Sequence, residues 1–301
     1  MQIENQGVDH PLLSEKKISL YIKREDLVHH YISGNKYRKL KYNLIEAKTK
    51  VFTKLLTFGG AYSNHIAATA YAGKQYGFDT IGVIRGDELS EKWKENPTLQ
   101  LAHEHGMRFK FVSRESYRKR GSQDFIGRLK EEFGPFYLLP EGGTNALAIK
   151  GCEEILVPED VEFDVVCCSV GTGGTIAGII NSTHSKQRVL GFSALKGDFL
   201  NEDIRKFAQK ENWTLQTEYH FGGYAKLNAG LIHFINDFKE KTQIPLDSIY
   251  TGKMVYGIFD LVKKDYFLPN TKILAIHTGG LQSVEGMNIK LKKRQLPLID
   301  I

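Results

Sequence analysis

Apolar and polar positions along the chain alternate between two periods, and that alternation lays out a succession of strands and helices. Residues 18–23 (Ile-Ser-Leu-Tyr-Ile-Lys) follow the twofold period of a half-buried strand. Within 38–50, Leu40, Leu44, Ile45 and Ala47 recur at helical spacing. Residues 54–58 read as a strand, Gly59-Gly60 as a turn, and 63–76 as a helix ending near Gly77. A strand at 80–84, a helix at 97–105 stopped by Gly106, a strand at 108–112, a helix at 123–133 and a strand at 136–139 follow. This order predicts a parallel sheet with helices on its faces.

After the loop Pro140-Glu141-Gly142-Gly143-Thr144-Asn145 the pattern restarts. An apolar strand over 165–170 leads into a glycine-rich loop, a helix from Thr175 and a strand over 188–193. Apolar residues three and four apart predict helices within 200–210, 228–242 and 253–265, and 272–277 reads as a late strand. The chain is therefore expected to be α/β, with two units and no Pro- or Ser-rich linker between them. A cleft is expected where the C-terminal ends of the strands meet.

Composition changes this picture little. The 301 residues are 41% hydrophobic and 25% charged, as in an ordinary water-soluble protein. The net charge of +6 is dispersed, apart from Arg118-Lys119-Arg120 and Lys290-Leu291-Lys292-Lys293-Arg294, both read as solvated surface. Neither carries the interleaved aromatics of a nucleic-acid surface, so no nucleic acid is expected as a partner. Cys167 and Cys168 are neighbours in a strand and point to opposite faces, which rules the pair out as a metal clamp; no metal is expected. With Cys152 they suggest a reduced, cytoplasmic protein, and no apolar run approaches the roughly 20 residues of a membrane span.

Two stretches carry candidate chemistry. Ser33-Gly34-Asn35-Lys36 puts a lysine at the start of a helix, where the dipole favours its neutral, nucleophilic form. Gly171-Thr172-Gly173-Gly174-Thr175 follows an apolar strand and opens a helix, the setting of an anion site. It lacks both the Walker lysine and the dinucleotide spacing, so a single phosphate suits it better than a pyrophosphate; a tight packing turn is the other reading. Amine and phosphate site together suggest pyridoxal phosphate. Ser63, in Tyr62-Ser63-Asn64-His65, is either a plain helix N-cap or a receiver of a substrate carboxylate. Tyr250-Thr251-Gly252-Lys253 and His277-Thr278-Gly279-Gly280 complete a set of polar clusters at strand or helix ends.

In this order, and together with Glu141-Gly142-Gly143-Thr144-Asn145-Ala146, these motifs resemble the 1-aminocyclopropane-1-carboxylate deaminase/D-cysteine desulfhydrase family. That family belongs to the fold type II, tryptophan-synthase-β-like enzymes that use pyridoxal 5'-phosphate. The resemblance implies a large cofactor-binding domain of residues 1–38 and 150–301, a small domain of 39–149, and a cleft between them. It implies that Lys36 bonds the cofactor and then moves the substrate's α-proton. Asn64 would bond the ring's phenolic oxygen, and Gly171, Thr172, Gly173, Gly174 and Thr175 the phosphate. Ser63 and His65 would face the substrate carboxylate, with Tyr224 and Tyr250 as active-site tyrosines. Thr278 and Gly279 would line the far edge of the ring. A homodimer is implied as well.

Two positions depart from the deaminase pattern. Thr251 stands where deaminases place a glutamate toward the ring nitrogen, and Tyr62 where the family carries a glutamine. A hydroxyl makes a weaker electron sink than a protonated ring, which suffices when the β-substituent leaves readily. The expectation is thus α,β-elimination from a small amino acid, D-cysteine giving pyruvate, sulfide and ammonia. The alternatives are 1-aminocyclopropane-1-carboxylate deamination to 2-oxobutanoate and a cofactor-binding homologue without turnover. Tyr62 is expected to reshape the substrate pocket.

Overall fold

The computed structural model describes residues 3–197 and 199–301. The chain begins with β1 (Asn5–Val8), α1 (Pro11–Glu15) and β2 (Ser19–Lys23). A polar turn leads into α2 (Asn35–Thr49), followed by β3 (Lys54–Gly59), α3 (Asn64–Tyr76) and β4 (Asp79–Arg85). Next come α4 (Pro97–Glu104), β5 (Met107–Val112), α5 (Arg114–Arg118), α6 (Gln123–Phe133) and β6 (Tyr137–Leu139). Then follow α7 (Ala146–Cys152), β7 (Val165–Val170), α8 (Gly174–Ser182), β8 (Arg188–Ser193) and α9 (Leu200–Arg205). The chain closes with β9 (Trp213–Gln216), α10 (Ala229–Thr242), α11 (Thr251–Lys263), β10 (Lys272–Ile276) and α12 (Ser283–Lys293).

The strands make two sheets. The larger runs β1-β2-β10-β7-β8-β9 and is parallel except for β1; the smaller runs β5-β4-β3-β6 and is parallel throughout. Alternate residues of β7 and β10 feed two separate cores. Cys167, Ile273 and Ala275 join the apolar cluster of α10, α11 and α12, while Cys168, Leu274 and Ile276 join that of α8 and α9. Among the described residues no helix is long and apolar enough to cross a membrane.

Strand order fixes where a ligand can sit. In the smaller sheet the chain goes from β3 outward to β4 and β5, then returns to β6 on the other side of β3. In the larger sheet β7 has β8 on one side and β10 on the other. Each reversal opens a crevice at the C-terminal ends of two strands. The loops leaving β3, β6, β7 and β10 carry Ser63, Gly142, Gly171 and Thr278, and all four line one cavity.

Among the helices that the sequence predicts, two differ clearly in extent. The helix expected over 38–50 starts at Asn35, so Lys36 lies inside its first turn. The helix expected over 200–210 ends at Arg205, and beyond it the Gln209 N–H donates to Asn181 Oδ1 of α8 at 2.8 Å. Lines drawn at residues 38 and 150 pass through α2 and α7, which pack on each other.

Gly34 sets the approach of α2 to the larger sheet. Its backbone (φ 62°, ψ −140°) lies in a region reserved for glycine, and a Cβ there would stand 2.0 Å from the Thr278 carbonyl oxygen. The Asn35 N–H donates to that same oxygen at 3.2 Å. Gly34→Ala should therefore cost about 3 kcal/mol or more. Gly77→Ala, also at positive φ but with open space around it, should cost about 1 kcal/mol. Urea denaturation of both variants checks this, and equal losses would show that Thr278 yields to a methyl group freely.

Candidate active site

The first turn of α2 presents two lysines to the cavity, one helical turn apart. Lys36 Nζ donates to Asn35 Oδ1 at 2.9 Å. Burial of its ammonium, helped by repulsion from Lys39, lowers its pKa to about 7. Lys39 is buried and donates to the Gly142 carbonyl and to Thr144 Oγ1, both at 3.0 Å. Burial lowers its pKa too. Asn35 ties this helix to the glycine loop, its Nδ2 donating to Thr175 Oγ1 at 2.8 Å.

On the opposite wall, the glycine loop brings Gly171, Thr172, Gly173 and Thr175 to the cavity. The first N–H groups of α8 have no side-chain cap, since Gly173 stands at its N-cap in the left-handed conformation. Gly174 is buried and lies outside the lining; a Cβ there would collide with Thr144 at 2.8 Å. Thr144 and Thr172 hydroxyls lie 2.6 Å apart.

Ser63, Asn64 and His65 line the cavity at the start of α3. Ser63 is indeed the N-cap, with Oγ accepting from the Ile66 N–H, and still faces the cavity. Gln282 donates to Asn64 Oδ1 at 2.8 Å, which leaves Asn64 Nδ2 as the free donor. His65 is buried with neither ring nitrogen paired, and burial together with Lys36 and Lys39 holds its pKa well below the usual range. It is a neutral imidazole.

Tyr224, Tyr250, Thr278 and Gly279 close the cavity. The two tyrosine rings meet edge to face with centroids 6.3 Å apart. Burial, then the neighbouring Tyr224 and Asp247, push the Tyr250 phenol well above its ordinary pKa, so it stays a donor. Thr278 Oγ1 lies 3.2 Å from Ser169 Oγ.

Thr251 and Tyr62 are placed elsewhere. Thr251 is fully buried behind the cavity wall, its hydroxyl donating to Asp247 Oδ1 at 2.7 Å. Asp247 is itself satisfied by the N–H groups of Ile249, Tyr250 and Thr251. Tyr62 packs against Gly286 of α12, with Lys290 Nζ 3.9 Å from its ring centroid, and lines an adjoining cavity instead. Sequence reasoning passed over Lys39, Asn35, Ser169 and Gln282. Lys39 carried a usable signal, its spacing of three from Lys36 on one helix. Ser169 and Gln282 carried none, because the contacts that give them meaning are between distant segments.

These residues fit pyridoxal phosphate. An uncapped helix start, the Thr172 and Thr175 hydroxyls and the Lys39 ammonium suit a phosphate. Lys36 supplies an amine already near neutrality, and Asn64 an oriented donor. No carboxylate stands among the described residues lining this cavity. The amine must be neutral to attack an aldehyde, so cofactor uptake by the stripped protein should quicken with pH through about 7, the pKa to which burial lowers Lys36, then level off. Following the visible absorbance of the bound cofactor across pH checks this. A rate still climbing toward about 10.4, the ordinary lysine value, would refute the depressed pKa.

Comparison with known proteins agrees with this geometry. The family model described as "Pyridoxal-phosphate dependent enzyme" matches residues 5–279. The chain is 32% identical to the mitochondrial bifunctional D-cysteine desulfhydrase/1-aminocyclopropane-1-carboxylate deaminase of Arabidopsis thaliana, over 87% of this chain and 72% of that protein. It is 25% identical to the D-cysteine desulfhydrase of Serratia proteamaculans, over 87% and 86%. A crystal structure of an ACC deaminase homologue superposes with a TM-score of 0.83 at 28% identity, covering 97% of this chain and 94% of the other. The chain thus belongs to the pyridoxal-phosphate dependent enzymes, as a fold type II lyase of the 1-aminocyclopropane-1-carboxylate deaminase/D-cysteine desulfhydrase family.

Proposed function

We propose that this lyase removes the β-substituent of a small D-amino acid, with D-cysteine giving sulfide, pyruvate and ammonia. The observation that carries this reading is the cavity lining, in which hydroxyls, amides and two lysines stand with no carboxylate among the described residues. Bound pyridoxal phosphate supplies an electron sink for the substrate's Cα. Hydroxyls of Thr278 and Ser169, rather than a carboxylate, are what the ends of β10 and β7 present to the cavity, so the sink is a moderate one. That is enough for a thiol leaving group.

The protein's own groups divide the remaining work. Lys36 Nζ takes the Cα proton, the Cβ–S bond breaks with its electron pair on sulfur, and the thiolate leaves as thiol once protonated. The enamine left behind takes up one water to give pyruvate and ammonia. The start of α3 and Ser63 receive the substrate carboxylate. Tyr250, held protonated, donates toward the departing sulfur, and neutral His65 adds no further cation beside Lys36 and Lys39.

Opening of 1-aminocyclopropane-1-carboxylate is a second reading, supported by the Arabidopsis relative whose name carries both activities. The family's homodimer is part of the proposal and is checked by sizing in solution. In a paired assay, D-cysteine should release sulfide and pyruvate while the cyclopropane acid yields no 2-oxobutanoate; the reverse outcome would overturn the order of the two. Lys36→Ala should lower turnover by about 10³-fold or more. A holoenzyme that consumes neither substrate would leave a cofactor binder without turnover.

A further inference from the structure

Beyond Tyr224 the catalytic cavity adjoins a second one of about 320 Å³, and Tyr224 lines both. Its walls are the Gly60–Tyr62 turn just before Ser63, the end of β4, and one side of α12. Three cations reach into it: Arg85, Arg114 and Lys290. Arg114 is paired with Glu88, the only carboxylate among the described lining residues. Arg85 and Lys290 have no carboxylate partner among the described residues. Arg85 leans over the backbone of Gly60, and Lys290 lies on the face of Tyr62. Burial, with Arg294 and Lys226 nearby, lowers the Lys290 pKa, as expected of a cation short of negative charge. D-cysteine, once its carboxylate is held at α3, has nothing that would reach these groups.

We propose that this annex binds an anionic group at the far end of the substrate's β-substituent, so that the enzyme also takes amino acids whose leaving thiol carries a carboxylate, and prefers them to neutral analogues. The proposal rests on the elimination reading for its chemistry, since the same Cα–H and Cβ–S bonds break and the thiol departs with its carboxylate. The binding preference itself needs no turnover. Arg85 offers a planar fork that suits a carboxylate, and Lys290 a second charge across the annex. It also gives Tyr62 a role. Its ring holds Lys290 over the annex instead of narrowing the catalytic cavity.

The test compares S-carboxymethyl-D-cysteine with S-carbamoylmethyl-D-cysteine, which have nearly the same shape and differ in one charge. Dissociation constants come from titrating the visible absorbance of the bound cofactor in the holoenzyme, whether or not the compounds react. The carboxylate should bind roughly tenfold or more tightly, as a charge-assisted hydrogen bond gives. Added salt should shrink the ratio, a readout that needs no variant. Arg85→Gln and Lys290→Gln should each bring it toward one, with retained cofactor absorbance confirming folding. A wild-type ratio near one, or a ratio unmoved in both variants, overturns the annex. Sulfide release from D-cysteine by the wild-type enzyme is scored separately, and its failure would strike the elimination reading alone.

Discussion

Two lysine ammonium groups facing one cavity, with no carboxylate among the described lining residues, impose the constraint to which the rest of the site answers. A buried cation is costly unless it is paired, solvated by oxygens, or neutralised by losing its proton. The structure uses the last two remedies in different places. Lys39 is held by a carbonyl and a threonine hydroxyl and reaches toward a second threonine, whereas Lys36 has one amide oxygen and a pKa near 7. A dianionic phosphate on the glycine loop would satisfy Lys39 and the bare start of α8 together. Lys36, with its pKa near 7, is the amine that is already partly neutral at neutral pH. A carboxylate on this wall would instead re-protonate it, so the composition of the lining and the reactivity of the amine are one fact.

Holding two repelling amines together requires rigid support, and the fold supplies it through contacts between distant segments. Gly34 lets the α2 backbone touch the turn after β10, Arg38 is clamped by the fully buried Glu25 at 2.8 Å, and Asn35 reaches across to Thr175. Each ties the lysine helix to a different strand end of the larger sheet. The smaller sheet adds Ser63, Asn64 and His65 from its own reversal of strand order. A site built at two such reversals gains its precision from the sheets rather than from the loops themselves.

Periodicity in the sequence exposed the elements that a sheet must bury, because a strand or helix with one apolar face announces its period. It therefore gave α3, α6, β7 and β8 nearly to the residue. Short elements such as β1, α1 and β9 carry no such signature, and of α12 the sequence marks only the basic end, 290–294, as solvated surface. Of the site, the residues that sit in motifs were legible: Lys36, Asn64 and the glycine loop. Those that orient them were not, because Gln282 acquires its purpose only from Asn64, more than two hundred positions away in the chain.

Thr251 and Tyr62 show how the fold can place a substitution read along the chain away from the cavity it was assigned to. Thr251 was expected to present a hydroxyl to the ring nitrogen, yet its hydroxyl is spent on Asp247, deep behind Tyr250. The cavity lining holds no carboxylate among the described residues, and Thr278 and Ser169 are the residues there that present hydroxyls 3.2 Å from one another. The structure also shows what a glutamate at 251 would have to overcome. Its carboxylate would enter a fully buried spot beside Asp247, where two like charges raise each other's pKa and one must stay protonated or turn away. Tyr62 was expected to reshape the substrate pocket. It points instead at α12, where it steadies a lysine over a neighbouring cavity, so its consequence falls on the far end of a substrate rather than on the reacting carbon.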